Sequence, residues 1–379
     1  MANLLDYLKW RGDLSFARVP FNPVDAVILS QLSYFPFDGI VHGVDSEESV
    51  LIGTVMETLI HKIDKKTRRN EQKKSIMMFP DDEVLVRALS VSERFKNCGL
   101  RGYMNLVDTE KEIQFSAVCL TARNLSYIAY RGTDMTIVGW KEDFSMCFND
   151  VVPAQLEAVK YLEEMSGQIK GPLRIGGHSK GGNLAIYAAS HCKEKTRGRI
   201  THIYTHDSPG FQRRTIESGG FIKIKNKICS FVPQSSVVGM LLEHGNDYSV
   251  IRSNQIGLLQ HYLYSWEVTR NDLVYVNKIS YASRFMDKTL NDWINGLNAN
   301  SREQFFDALF NILNATNAKS LTELEGSWFK AAGKMLYSMT LFDETTKKLI
   351  KRTLGMLFDA AKYNLTTSVV SKIKNELKK

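Results

Sequence analysis

Leu173-Arg-Ile-Gly-Gly-His-Ser-Lys-Gly-Gly-Asn-Leu-Ala-Ile-Tyr-Ala-Ala189 holds the residues of this 379-residue chain best suited to covalent chemistry. Its centre, Gly177 to Gly181, has the spacing Gly-x-Ser-x-Gly, in which a serine rides on a sharp turn between a strand and a helix. Such a turn crowds the residues two before and two after the serine, so both must lack side chains. The free N–H groups that open the following helix favour negative charge beside Ser179. That combination suits a serine attacking a carbonyl carbon. A phosphate-binding loop is excluded by order, because Lys180 follows Ser179 whereas that motif runs Gly-Lys-Ser/Thr.

A serine nucleophile needs a histidine base, a carboxylate to orient the base, and donors for the developing oxyanion. With this turn the partners follow in the order serine, acid, histidine. His206, His244 and His261 all lie downstream of Ser179. His261, in Gln260-His-Tyr-Leu-Tyr-Ser-Trp266, comes after the last expected strand, where a loop can return over the turn, and is preferred as base. His244 precedes that strand and is expected at the opposite sheet edge. Asp207, in Thr205-His-Asp-Ser-Pro-Gly210, ends a strand and is preferred as acid, with Asp247 the alternative. Lys180 is expected to offer its backbone N–H to the oxyanion, its side chain being solvated or ion-paired. The second donor is expected from Arg131-Gly-Thr133, with Thr133 favoured; losing one such donor costs about 3 kcal/mol of transition-state stabilisation. His178 is expected to point away from the serine and to serve in packing.

The elements that must hold these groups can be traced by periodicity. Phe21 to Tyr34 reads as a helix, with Pro23 near its start and Val24, Val27, Ile28 and Leu32 on one face. Glu47–Lys65 and Asp81–Lys96 read as further helices, with an exposed loop over Lys65–Lys74 between them. Ile113–Leu120 and Leu125–Arg131 are strand-like, and Pro153–Ser166 is helical. The serine turn follows, then strands at Ile200–Thr205, Lys227–Val232 and Asp247–Ile251. Strands alternating with helices predict an α/β fold: a mostly parallel sheet covered on both faces, with catalytic groups at the carboxyl ends of its strands. From about Asn271 the pattern is helical only, over Thr289–Leu297, Arg302–Leu313, Leu321–Tyr337 and Glu344–Leu377. Three regions result: a helical N-terminal part, 1–100, packed on the core; the α/β core, 101–270; and a helical C-terminal part, 271–379.

Composition narrows the partners. The formal charge of +8 is concentrated from Lys330 to Lys379, which holds eleven Lys/Arg against four Asp/Glu. A solvated lysine-rich face is one reading of that tail, and peripheral contact with an anionic membrane through its basic helices another. No combined aromatic and basic motif argues for nucleic acid. No run approaches the length of a membrane-spanning helix, and the first residues lack the apolar core of a secretory signal. Five separated cysteines without a Cys-x-x-Cys pair favour reduced thiols and a cytoplasmic location. No cofactor is implied. His202 and His206 are four apart, but on a strand they do not share a face as metal ligands would on a helix.

Tyr130-Arg-Gly-Thr-Asp134 followed by Gly139-Trp-Lys-Glu-Asp143 resembles the oxyanion strand and the Trp/Asp-containing loop of class 3 lipases. Ile175–Ala188 resembles their serine turn and helix, and Tyr204–Phe211 their next strand with its proline-containing turn. The lipase resemblance covers roughly Gln114 to Trp266. Nearly the whole chain, including Asp13-Leu-Ser-Phe16, Phe21-Asn-Pro-Val-Asp25 and Gln260-His261, is similar to an uncharacterised bacterial family of lipase-like α/β-hydrolases. The resemblance implies an α/β-hydrolase fold with helical additions at both ends, and a lipase or esterase activity on a small-molecule or lipid ester. It puts Ser179 in the nucleophile position and His261 in that of the base, and it implies a structural ion pair between Arg131 and Asp143. One departure stands out: class 3 lipases carry their acid a few residues before a Val-Pro, where Cys229-Ser-Phe-Val-Pro233 has Ser230. Asp207 must then supply the carboxylate, or the chain is a binding or scaffold protein on a hydrolase fold with weak or lost activity.

Overall fold

The computed structural model describes residues 1–280 except 69–76, 78, 80, 109, 112, 135–141, 144, 147, 148, 150 and 256, together with 344 and 346–348. The chain runs α1 (Leu4–Arg11), α2 (Pro23–Leu32), β1 (Val50–Leu51), α3 (Ile52–Arg68), α4 (Asp82–Val91), β2 (Gly99–Asp108), β3 (Ile113–Ala122), β4 (Leu125–Tyr130), α5 (Pro153–Gln168), β5 (Leu173–His178) and α6 (Lys180–His191). It continues through α7 (Glu194–Arg199), β6 (Ile200–His206), α8 (Arg213–Ile216), α9 (Gly219–Ile224), β7 (Ile228–Pro233), β8 (Tyr248–Ile251), β9 (Val268–Thr269), β10 (Asp272–Leu273) and β11 (Tyr275–Val276). The helices expected over Thr289–Leu297, Arg302–Leu313 and Leu321–Tyr337, and nearly all of Glu344–Leu377, lie outside the described residues.

Nine strands form one sheet in the order β1-β2-β3-β4-β5-β6-β7-β8-β11. Its centre, β4 to β8, is parallel. Antiparallel partners extend it at both edges. This is the expected α/β-hydrolase-type architecture. The strands alternate between two cores as a pleated strand must: Tyr127 and Ala129 face α1 to α4, whereas Ile128 and Tyr130 face α5 and α6. Because β4 to β8 share one direction, their carboxyl ends deliver the turns after Tyr130, His178 and His206 to a single edge.

Local rules explain the helix starts and the departures from expectation. Both α1 and α2 open on capping boxes, Asn3 with Asp6 and Asn22 with Asp25, and Pro23 takes the first position of α2. The helix expected from Glu47 starts only at Ile52, because Val50 and Leu51 pair with Leu100 and Gly99. The helix expected to reach Lys96 stops at Val91; Ser92 is extended and gives its hydroxyl to Gly12 O. Strand β2 is hidden in the sequence by a register shift between Arg101 and Met104, where Gly102 has φ +61° and the period-two alternation breaks. Among the described residues no helix is long and apolar enough to cross a membrane. Cys98, Cys119 and Cys192 are buried free thiols, and Cys229 is a partly exposed one.

Candidate active site

Ser179 sits between β5 and α6 with φ 57° and ψ −132°. This left-handed conformation is unfavourable for a side-chain-bearing residue and persists only where its surroundings enforce it. The enforcement is visible. A Cβ on Gly177 would come within 2.5 Å of Gly181 C, and one on Gly181 would reach 2.9 Å from Arg131 C. The Ser179 N–H donates to His206 O at 2.9 Å, tying the turn to the end of β6. Among the described residues the Ser179 hydroxyl has no hydrogen-bond partner.

Asp207 stands at the end of β6, also with positive φ (48°), and is almost fully buried. One carboxylate oxygen, Oδ2, meets His261 Nδ1 at 2.6 Å. The other, Oδ1, accepts the Ser236 hydroxyl at 2.5 Å and the Gly239 N–H at 3.1 Å. Donors to both oxygens fix the plane of the carboxylate. With Nδ1 engaged, the His261 Nε2 edge is left for a reacting partner; the side chain is 28% exposed whereas that of Asp207 is 1% exposed. Asp247, the alternative acid, is exposed at the amino end of β8 and does not take part. Ser230 is buried and shares a 2.9 Å hydrogen bond with Thr205 Oγ1, so it faces β6 and not the site.

The other histidines fall elsewhere. His206 is wholly buried, with Nδ1 2.9 Å from Ser30 Oγ, and burial drives it down to about 3. His244 is not at the opposite sheet edge: it lies near Gly239 and Asp207, where burial holds its imidazole below the usual range. His178 has a closer bearing on the site than packing alone. Its Nε2 donates to His261 O at 2.8 Å, its Nδ1 accepts the Tyr34 hydroxyl at 2.9 Å, and its ring lies 4.3 Å from that of His261. Burial and the neighbouring histidines hold it well below the usual imidazole range, so it is a neutral strut.

The loop bearing His261 is pinned from several sides. Gln260 accepts the Ser235 N–H through Oε1 at 2.7 Å and gives Nε2 to Gln255 O. Tyr262 and Tyr264 donate their hydroxyls to Asp81 and Asp82 at 2.9 and 2.7 Å. The N-terminal region thus reaches the site through the loop of the base. Sequence reasoning overlooks Ser236, Gln260 and Tyr34; the amide of Gln260 beside a candidate base is the one local signal for them.

The Arg131–Thr133 turn packs directly on Ser179: a Cβ on Gly132 would stand 3.1 Å from Ser179 Cβ and 2.6 Å from His178 O. Lys180 is the first residue of α6, so its backbone N–H has no acceptor within the helix. The Thr133 hydroxyl donates to Asp143 Oδ2. The ion pair expected between Arg131 and Asp143 does not form. Arg131 instead contacts Asp134 at 3.4 Å and Asn105 at 3.1 Å. Asp143 is paired with Lys180, whose side chain is buried and not solvated. Loss of hydration raises the Asp143 carboxyl to about 6 against the opposing charge of Lys180. Among the described residues no His/Cys/Asp/Glu group is arranged to hold a metal ion.

Solved structures similar to the chain include a triacylglycerol lipase in which a serine protease triad forms the catalytic centre, 12% identical with a TM-score of 0.37, covering 61% of this chain and 78% of that one. They also include Lip2 lipase from Yarrowia lipolytica (12% identity, TM-score 0.35, 62% of this chain and 100% of that one). A third is the Rhizomucor miehei lipase–propeptide complex (13% identity, TM-score 0.32, 54% and 70%). Likeness this distant carries nothing about substrate or activity. A search of curated proteins finds no match. The Mbeg1-like family model matches residues 89–311, more than half of the chain, with Ser179, Asp207 and His261 inside the matched span, and the chain belongs to that family.

Proposed function

We propose that this protein is a serine hydrolase that cleaves a carboxylic ester, of lipase or esterase type, through an acyl-enzyme on Ser179. The observation that carries the reading is the 2.6 Å contact between Asp207 and His261 Nδ1 on the loop that stacks over the residue preceding Ser179. In this reading His261 Nε2 takes the Ser179 proton as the serine oxygen bonds to the ester carbonyl carbon. The same nitrogen then protonates the departing alkoxide, and water repeats the sequence to release the acid. Asp207 holds the imidazole in the tautomer with its proton on Nδ1 and steadies the imidazolium. The Lys180 and Thr133 backbone N–H groups receive the oxyanion. A resting serine–histidine pair is often loose and tightens only when substrate binds, which accommodates the unpartnered Ser179 hydroxyl.

The substrate class follows as a small-molecule or lipid ester, with 101–270 as the catalytic unit and 1–100 bracing the His261 loop. The scaffold reading rests on Ser230 in the acid position and on the helical additions expected at both ends, whereas the contact between Asp207 and His261 supports the hydrolase reading. Treatment with a fluorophosphonate probe tests the assignment. Stoichiometric labelling of wild type, mapped by mass spectrometry to the peptide containing Ser179 and absent in Ser179→Ala, is expected; equal labelling of both proteins removes the proposal.

A further inference from the structure

The residue after Ser179 carries a fully buried ammonium that the steps above leave unused. Lys180 Nζ spends all three of its protons: on Gln114 O at 3.0 Å, Gln114 Oε1 at 2.6 Å and Glu142 Oε2 at 2.9 Å. Asp143 Oδ1 lies 3.7 Å from the same nitrogen. Glu142 is as deeply buried as Lys180, and its two oxygens also accept Gln114 N–H at 3.1 Å and Ala154 N–H at 2.8 Å. One cation therefore joins four parts of the chain: the start of α6, the start of β3, the amino end of α5 and the segment carrying Asp143. Asp143 in turn holds the hydroxyl of Thr133, beside Ser179.

Stability does not account for this arrangement. Burying two charges costs several kcal/mol each, and replacing a buried ion pair by apolar groups of similar size is often neutral or favourable. What the pair does provide is placement. The Lys180 amide and the Thr133 turn come from elements far apart in sequence, and the side chain of one is linked through Asp143 to the side chain of the other. We propose that Lys180 and Glu142 are positioning residues that set the Lys180 and Thr133 amides into one oxyanion-binding unit. This rests on the serine hydrolase reading.

The test is fluorophosphonate inactivation kinetics on the full chain, with the maximal inactivation rate separated from the probe dissociation constant, for wild type, Lys180→Met and Lys180→Met/Glu142→Gln. The double variant leaves no charge unpaired between these two positions, so it covers the case in which the single variant fails to fold. Expected is a maximal rate lowered about 10²–10³-fold, with the dissociation constant within about threefold and a cooperative thermal transition retained. Labelling of wild type together with an unchanged rate in a folded variant overturns this proposal alone. Loss of cooperative unfolding in both variants also overturns it, because the pair is then scaffold. Failure of wild type to label at all removes the serine hydrolase reading and this inference with it.

Discussion

Two buried ionic clusters in this molecule resemble each other in chemistry and differ in completeness. Around Asp25 and Arg94, both fully buried, every guanidinium proton is spent: on the two Asp25 oxygens and on Leu14, Val19 and Pro20 carbonyls. Asp25 also accepts the Tyr7 hydroxyl and the Asn22 N–H. Around Asp207 the carboxylate is equally well bound, but the chain of bonds ends at a histidine that is 28% exposed and keeps one nitrogen for a reacting partner. A closed cluster can only hold segments together. An open one stores orientation and leaves a group available for proton transfer.

The comparison can be broken most forcefully at Asp207. Asp207→Asn keeps the shape but reverses the proton preference at His261 Nδ1, so hydrolysis of a p-nitrophenyl ester should fall by about 10⁴-fold with little change in the melting temperature. A large loss of stability with activity intact would put Asp207 in the same class as Asp25. The reciprocal test is Arg94→Met, which strands a buried carboxylate and should cost about 3–5 kcal/mol, or a melting temperature lower by about 10 °C. Activity per folded molecule should be unchanged, as checked by active-site titration.

A smaller effect sharpens the contrast through pH. Burial pushes Asp82 up to about 6, against donated hydrogen bonds from Tyr264, Phe79 and Gln31. Its proton is held more tightly in the folded state than in the unfolded one. Its stabilising contribution is therefore complete below about pH 4 and lost as pH rises through 6, by about 3 kcal/mol. Urea unfolding of wild type and Asp82→Asn checks this: wild type should lose stability relative to the variant over that interval. A flat difference would show that Asp82 titrates normally.

Much of the fold and the site is legible in the residues, for a physical reason. The serine turn announces itself because steric crowding forces glycine at Gly177 and Gly181, and the parallel strand β6 must deliver Asp207 to the same edge, whereas His261 arrives on the loop after β8. The Lys180–Glu142 pair is not legible. A lysine beside a serine reads as solvated or ion-paired, but its carboxylate partner sits 38 positions upstream with no local pattern to mark which one it is. His178 is misread because alternation along β5 specifies a face of the sheet, whereas the loop that returns over that face brings His261 back onto it. Strand β2 escapes because Gly102 interrupts the alternation on which strand recognition depends.

The support of the His261 loop has a practical consequence for dissecting this protein. The family segment begins at residue 89, whereas Asp81, Asp82 and Tyr34 lie before it, as does Asn3, whose amide binds Tyr264 O. A recombinant fragment trimmed to the matched span would carry the serine, the carboxylate and the imidazole in full. It would nevertheless lack the braces that hold the loop carrying His261, so inertness of the fragment would leave the competence of the intact chain untouched.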